Sequence, residues 1–235
     1  MADFVANSLG SFDAGQIAQR IQEIREVLPV SVQLIAVTKQ VSVAAMRAAY
    51  AAGVRHFGES RIQEAITKQE QLTDLADVTW HLIGHLQSNK AGKALEIFQW
   101  IHSVDSLKLA QRLDSLAAQH QLRPHVCLQV KMLPDPTKFG WDEAQLLADL
   151  AALDECQHLD ITGLMVIPPF GLPDEATLDV FKRTHQLAQT IQQRSLKSIR
   201  MEELSMGMSN DYRLAVQAGA TFVRLGRTLF GDRAG

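Results

Sequence analysis

The sequence predicts an α/β protein built as a closed (β/α)8 barrel of the TIM type, and three observations lead to this fold class. First, eight short apolar runs recur along the chain, separated by segments with helical spacing of apolar residues. Second, strands that alternate with helices pair in parallel through right-handed crossovers. Third, no GxGxxG sequence follows the first strand, which disfavours the runner-up, an open doubly wound sheet. We expect residues 1–235 to form a single domain.

The predicted elements begin with an extra helix ahead of the barrel, because four apolar residues at helical spacing are closed by a proline. These are Ile17, Ile21, Ile24 and Leu28, followed by Pro29. The eight predicted strands are QLIAVTK, VRHFGE, WHLIG, WIHSVD, HVCLQVK, ITGLMVIPP, EELSMG and FVRLGR. Helices are predicted at 43–52, 61–72, 107–119, 143–153 and 175–193, and their start residues are predicted to be Ser42, Ser60, Ser106, Asp142 and Asp174.

Composition and charge narrow the classes of function. The formal net charge is -3 with mixed signs along the chain, so no basic stripe predicts nucleic-acid binding. No apolar window has the length of a membrane span, and the N-terminus lacks the pattern of a signal peptide. Cys127 and Cys156 stand in apolar surroundings without metal-ligand spacing and are expected to be buried free thiols. We therefore expect a cytoplasmic monomer with no nucleic-acid or membrane partner.

The loops after strands seven and eight are the usual phosphate site of such barrels. Here they are the segments 205–209 (SMGMS) and 225–228 (LGRT), and each offers a small residue, a glycine and a hydroxyl. Ser209 precedes a predicted helix at 212–218, whose free N–H groups would favour a dianion. One such loop alone is more simply an ordinary capped turn. Two adjacent loops of this kind favour a phosphate site.

Lys39, at the end of the first strand, is the candidate for covalent chemistry. By strand alternation it shares a face with Ile35 and Val37. A lysine at an inner strand end is partly desolvated, which lowers its pKa and frees the amine for a Schiff base. Taken alone, a lysine that extends into solvent is the more ordinary interpretation.

Arg224 is the third candidate, because the aliphatic Val223 and Leu225 suit the helix-facing side of the last strand and turn the arginine inward. A buried arginine needs a partner. The partner is either a carboxylate, for which Glu202 and Glu203 are the candidates, or a ligand atom.

Together these features describe a ligand with an aldehyde at one end and a phosphate at the other. Pyridoxal 5′-phosphate (PLP) fits, with the arginine able to reach its pyridine nitrogen, and so does a sugar phosphate in a lysine-dependent aldolase. No metal site is expected, because the spacing of His81 and His85 falls on a strand and a turn rather than on a helix.

The motifs of the chain resemble those of the YggS/PROSC-type PLP homeostasis proteins. The resemblance covers nearly the whole chain, from about Ala36 to Gly231. It rests on AVTK at 36–39, FGESRIQE at 57–64, WHLIGHLQSNK at 80–90, HSVDS at 102–106, GLMVIPP at 163–169, ELSMGMSNDY at 203–212 and VRLGRTLFG at 223–231. One departure is Ser60, since the family usually reads Gly-Glu-Asn where this chain has Gly58-Glu59-Ser60.

The resemblance implies a barrel like the N-terminal domain of alanine racemase, with PLP held as a Schiff base on Lys39. It implies that Arg224 lies near the pyridine nitrogen and keeps it unprotonated, which weakens the cofactor as an electron sink. Its implied phosphate contacts are Ser205, Ser209, Gly226, Arg227 and Thr228. Three strand-end residues, Ser60, His81 and Met165, complete the predicted cofactor site.

The family implies a role in vitamin B6 and in amino and keto acid homeostasis, without known catalytic turnover. A PLP racemase needs a second base opposite its lysine. Since the chain ends at Gly235, soon after strand eight, we expect no second domain to provide one. The expectation is a non-enzymatic PLP carrier or regulator, whose partners beyond PLP are PLP-dependent apoenzymes or amino acids. The alternative is a small racemase-like PLP enzyme.

Overall fold

The computed structural model describes residues 13–135 and 138–231. Eight parallel strands close into a barrel in which each strand pairs with the next and the last pairs with the first. The strands are β1 (Gln33–Val37), β2 (His56–Glu59), β3 (Thr79–Leu82), β4 (Trp100–Val104), β5 (His125–Val130), β6 (Asp160–Val166), β7 (Ile199–Met208) and β8 (Phe222–Leu225). The predicted (β/α)8 fold is therefore confirmed, and all eight predicted strands form. That residues 1–235 make a single domain stays a prediction.

Helices cover the outside of the barrel. They are α1 (Ala14–Val27), α2 (Val43–Ala51), α3 (Ile62–Gln71), α4 (Ala91–Ile97), α5 (Leu107–His120), α6 (Glu143–Asp154), α7 (Asp174–Gln192), α8 (Tyr212–Gln217) and α9 (Arg227–Phe230), with a 3-10 turn at Ser88–Lys90. The extra helix predicted ahead of the barrel is α1. It buries Ile17, Ile21 and Ile24 and packs against α2 and α9.

Three of the five predicted helix starts are confirmed. The side chains of Ser42, Ser106 and Asp142 each accept a backbone N–H from the first turn that follows. The other two predictions are wrong. The cap of α3 is Arg61, and Ser60 turns to the end of the barrel instead. Asp174 is the first residue of α7 rather than its cap. Its carboxylate still interacts favourably with the positive end of the helix dipole.

The inside of the barrel is filled differently from the layer between sheet and helices. The outer layer is an aliphatic and aromatic core. The inward side chains, by contrast, include Ile35, Phe222 and a row of histidines. Both cysteines are buried free thiols, as predicted, and burial raises the pKa of Cys156 to about 11. None of the helices within the described residues combines the length and apolar character that a membrane span requires.

Candidate functional site

A cavity of about 590 Å³ opens at the C-terminal ends of the strands, the face on which barrels of this type place their sites. Six of the ten residues predicted to bind a cofactor line it: Lys39, Ser60, Ser209, Arg224, Gly226 and Arg227. A seventh, Thr228, adjoins them through a backbone contact to Ser209. Across the described part of the chain, no group of three or more histidine, cysteine, aspartate or glutamate side chains is arranged to hold a metal ion.

Lys39 lies half-buried on the cavity wall, two residues after the end of β1. Val37, two residues earlier, lines the same cavity, and Ile35 lies deeper on the same face. The face that carries Ile35, Val37 and Lys39 therefore points into the barrel. Gly58 of β2 makes room beside it, since a Cβ at position 58 would lie 2.9 Å from Cγ2 of Ile35.

The turn from Gly226 to Thr228 offers backbone N–H groups to the cavity. The Ser209 hydroxyl accepts the N–H of Gly226 at 3.4 Å and that of Thr228 at 3.3 Å. Both distances are longer than the usual range, so these donors are held weakly by the protein alone. Gly226 has φ -115, and a Cβ there would meet Val37 only at an ordinary 3.5 Å. Packing within the protein therefore does not require this glycine, whose bare backbone leaves space on the cavity wall.

At Gly207, the other glycine of the predicted phosphate loops, the backbone conformation and the packing of the protein itself require a glycine. Its φ is +93, and a Cβ would lie 2.6 Å from the Cβ of Ala215. The helix predicted at 212–218 begins at Tyr212, as predicted, and Asp211 precedes it on the cavity wall. The carboxylate of Asp211 accepts the N–H of Met208 at 2.6 Å. The Asp211 side chain makes no cap bond to the first turn of this helix, and a dianion bound by the N–H groups of the helix stays a prediction.

Arg224 points into the barrel, as predicted, and is 3% exposed on the cavity wall. Its guanidinium donates to Oγ of Ser205 at 2.7 Å and to the carbonyl of Val166 at 3.0 Å. Of the two alternatives for its partner, the carboxylates Glu202 and Glu203 do not bind it, because Glu203 accepts from Thr221 and Glu202 is exposed. Burial lowers the pKa of Arg224 to about 10, so the side chain stays charged at neutral pH.

Three other predicted residues do not line the cavity. Ser205, His81 and Met165 are at most 1% exposed and lie in the layer beneath it. Strand alternation predicts the face of the sheet that a residue occupies but not its depth in the barrel, and direct contact of these three residues with the cofactor stays a prediction.

A row of three hydrogen-bonded histidines, the buried His102 and His81 and the half-buried His56, runs from this layer into the barrel. Nδ1 of His102 lies 2.7 Å from Oγ of Ser205, Nε2 of His102 lies 2.9 Å from Nδ1 of His81, and Nε2 of His81 lies 2.9 Å from Nδ1 of His56. Burial lowers the pKa of His102 to about 3 and that of His81 well below its usual value. Each neutral imidazole has one donor and one acceptor. The histidine row therefore fixes the position of the Ser205 hydroxyl, and this hydroxyl accepts a hydrogen bond from Arg224.

Sequence reasoning missed part of the cavity wall. Lys138 from the loop after β5, Phe170 from the loop after β6, Thr177 of α7 and Asp211 all line it. Lys138, Phe170 and Thr177 stand in no phosphate or nucleophile motif, and Asp211 follows the predicted phosphate loop at 205–209. The available signal was their position in the segments that follow strands, which a (β/α)8 barrel brings to one face.

Comparisons with known proteins agree with this geometry. The family model "Alanine racemase, N-terminal domain" matches residues 12–234. A pyridoxal phosphate homeostasis protein from Synechocystis is 50% identical over 211 residues, covering 90% of this chain and 96% of the relative. A protein of the same name from Pseudomonas aeruginosa is 40% identical over 221 residues, covering 93% of each.

Solved structures give the same result. PipY of Synechococcus elongatus with PLP bound is 55% identical, with a TM-score of 0.88, and the match covers 92% of this chain and 100% of PipY. An alanine racemase from Clostridium difficile is 13% identical with a TM-score of 0.77, and the match covers 95% of this chain and 58% of the racemase. At that identity the racemase shares the fold alone.

Proposed function

The chain belongs to the pyridoxal phosphate homeostasis proteins, within the alanine racemase N-terminal domain family, and on that premise we propose that it binds PLP through Lys39 and serves vitamin B6 homeostasis. The observation that carries the proposal is one cavity that joins a lysine, a buried arginine and a turn with weakly held N–H groups. A homologous structure, that of PipY, is described with PLP bound.

The residues of the cavity fit this cofactor. When bound, PLP supplies an aldehyde, which condenses with a lysine amine and releases water, and a phosphate dianion. Lys39 would hold the aldehyde end. The N–H groups of Gly226 and Thr228 and the Ser209 hydroxyl would hold the phosphate, with the Arg227 guanidinium beside them. The space left by the missing side chain of Gly226 is consistent with an anion that approaches the backbone closely.

Arg224 would face the ring of the cofactor. Two of its N–H groups are used by Ser205 and Val166, and a guanidinium carries five. A charged donor beside a pyridine nitrogen keeps that nitrogen unprotonated, which limits withdrawal of electrons from a bound amino acid. Weaker withdrawal of electrons is consistent with a holding role.

A non-catalytic role is also supported by the positions of the tyrosines. A racemase needs a second base opposite its lysine, and the sequence contains two tyrosines. The hydroxyl of Tyr50 donates to Asp77, and that of Tyr212 accepts from Arg213. Neither tyrosine lines the cavity. We therefore propose that this chain does not itself supply a tyrosine base to the bound cofactor.

The visible absorption spectrum tests the binding proposal. The purified protein mixed with PLP is expected to show the absorbance of a lysine-bound cofactor, and Lys39→Ala to lose it. Lys138→Ala is the matched control, since Lys138 lines the same cavity and is expected to leave the spectrum unchanged. An unchanged spectrum in Lys39→Ala would overturn the proposal.

Turnover assays test the non-catalytic role. No racemisation or transamination of amino acids is expected at PLP saturation. Steady turnover that Lys39→Ala abolishes would assign the alternative, a racemase-like enzyme. Borohydride trapping of a ketose phosphate in place of PLP would assign an aldolase.

We further propose that the protein is a cytoplasmic monomer that passes PLP to apoenzymes or exchanges it with amino acids. Two exposed aromatic residues support an approach of partners: Phe170 on the cavity wall and Phe139 next to Lys138. Transfer is tested by adding the PLP-loaded protein to an apoenzyme and following its regained activity. A molar mass near 26.0 kDa in solution would agree with a monomer, and twice that mass would contradict it.

A further inference from the structure

A buried ion cluster lies behind Lys39, on the helix-facing side of the barrel. It consists of Thr38, Glu59, Glu64 and Lys68 and is called the Lys68 cluster below. Nζ of Lys68 donates to Oε1 of Glu59 at 2.8 Å, to Oε1 of Glu64 at 2.6 Å and to the carbonyl of Thr38 at 2.6 Å. These three bonds use all the donors of the ammonium group.

Stability alone does not explain this cluster. Glu59 is 0% exposed and Lys68 is 6% exposed, and the cost of desolvating two charges commonly exceeds the gain from pairing them. Oε2 of Glu59 is buried, and the described residues offer it no hydrogen-bond partner. A buried carboxylate oxygen without a hydrogen bond costs free energy. A reason other than stability is therefore needed for a cluster that retains such an oxygen.

The cluster holds the backbone on both sides of Lys39. Before the lysine, the carbonyl of Thr38 accepts from Lys68, and the hydroxyl of Thr38 donates to Glu59 at 2.6 Å. After the lysine, the N–H of Gln40 donates to Oε1 of Glu64. Lys39 is thus flanked by two residues that are tied to the same buried charges.

The turn held in this way is an uncommon one. Gln40 has φ +61, in the left-handed region that residues other than glycine seldom adopt. Such a conformation persists only where the surroundings fix it. The bond from Gln40 to Glu64 supplies that constraint at the point where the chain leaves β1 and places the Lys39 side chain on the cavity wall.

We propose that Glu59, Glu64 and Lys68 are positioning residues for Lys39. They do not touch the ligand. They fix the Thr38–Gln40 backbone in one conformation. The amine of Lys39 is therefore already oriented toward the aldehyde before the ligand binds. The inference rests on the proposed function only for the identity of the aldehyde, since the clamp itself belongs to the unloaded protein.

Glu64 is the residue on which to test the clamp. Its side chain is 24% exposed, whereas Lys68→Met would leave the buried Glu59 charge unpaired and risk unfolding. Glu64→Gln keeps an oxygen that accepts the Gln40 N–H, and Glu64→Ala removes it. Glu96→Ala is the matched control, because Glu96 is an exposed helix carboxylate paired with Lys93 far from the cluster in sequence.

Two readouts are required. In the unloaded protein, NMR hydrogen exchange at the Gln40 amide is expected to speed up in Glu64→Ala but not in Glu64→Gln or Glu96→Ala. On mixing with PLP, the rate of attachment followed by absorbance is expected to fall roughly three- to tenfold in Glu64→Ala, the worth of one hydrogen bond, and to stay near wild type in Glu64→Gln.

The outcomes separate this inference from the proposed function. If Glu64→Ala matches wild type in either readout, or Glu64→Gln attaches PLP as slowly as Glu64→Ala, the positioning role is overturned. If the wild-type protein never attaches PLP, the proposed function fails, and the exchange of the Gln40 amide alone then decides whether the clamp exists.

Discussion

At the scale of single residues, the two glycines of the predicted phosphate loops, Gly207 and Gly226, have opposite roles. Gly207 is required by the fold, because it has a positive φ and a Cβ would collide with Ala215. Gly226 has neither constraint. The sequence motif alone treats both as glycines that admit an anion. Only the surrounding atoms show which of them leaves space for a ligand.

Gly226→Ala is expected to weaken PLP binding by at least about tenfold, because the methyl group displaces the phosphate from the N–H donors of the turn. Its unfolding free energy should change by no more than about 0.5 kcal/mol. Gly207→Ala is expected to lose about 1–3 kcal/mol of stability through backbone strain and to bind PLP normally while folded. Spectroscopic titration and urea denaturation measure the two effects. The reverse pattern would contradict the assignment.

The residues whose positions on the cavity wall were predictable share one property. Lys39, Arg224 and Gly226 lie at or just beyond strand ends, where period-two alternation and the barrel face together fix their position. The depth of Ser205 and His81 beneath the cavity was not predictable, because height within the barrel depends on the register between neighbouring strands. Trp100 pairs with His81, for example, and nothing local in the sequence encodes that pairing.

At the scale of elements, α1 supports the cavity from outside. It packs against α2 and α9, and Arg20 donates to the carbonyl of Leu229 in α9 at 3.5 Å. Since α9 begins at Arg227, beside the proposed phosphate turn, the extra helix supports that turn. Helical periodicity and Pro29 were enough to predict α1. The short helices α4 and α9 were not predicted. Neither has a side-chain cap, so the sequence carries no start signal for them.

Ile21→Ala is expected to lower the unfolding free energy by about 2–5 kcal/mol, because Ile21 is 1% exposed in the contact of α1 with the barrel layer. Val27→Ala, on the exposed side of the same helix at 53% exposure, is the matched control and should cost no more than about 0.5 kcal/mol. Urea denaturation compares them. Equal losses would show that α1 is not packed as described.

At the scale of the whole molecule, the buried histidines link stability to pH. Burial lowers the pKa values of His56, His81 and His102 in the folded protein. The unfolded chain therefore binds more protons than the folded chain below about pH 6.5. The stabilising contribution of these residues is fully present above that pH and is lost as the pH falls toward their folded pKa values.

Between pH 6.5 and 5, the unfolding free energy is therefore expected to decrease as the pH falls, with each buried histidine adding a slope that approaches about 1.4 kcal/mol per pH unit. His81→Asn should reduce the slope by the share of one histidine. Urea denaturation at several pH values measures this. An identical slope in both proteins would contradict a neutral, buried His81. Burial raises the pKa of Glu59, which makes the folded protein more stable as the pH falls and so opposes the histidines. Because both proteins contain Glu59, the comparison between them cancels this effect.

The central claim is that Lys39 is the covalent attachment point for PLP, and peptide mapping after borohydride reduction tests it most directly. Reduction converts the linkage between lysine and PLP into a stable amine, which mass spectrometry of the digested protein then locates. The structure predicts the modification on Lys39, with Lys138 of the same cavity unmodified at one equivalent of PLP. Modification of another lysine, or none at all in the wild-type protein, would contradict the account.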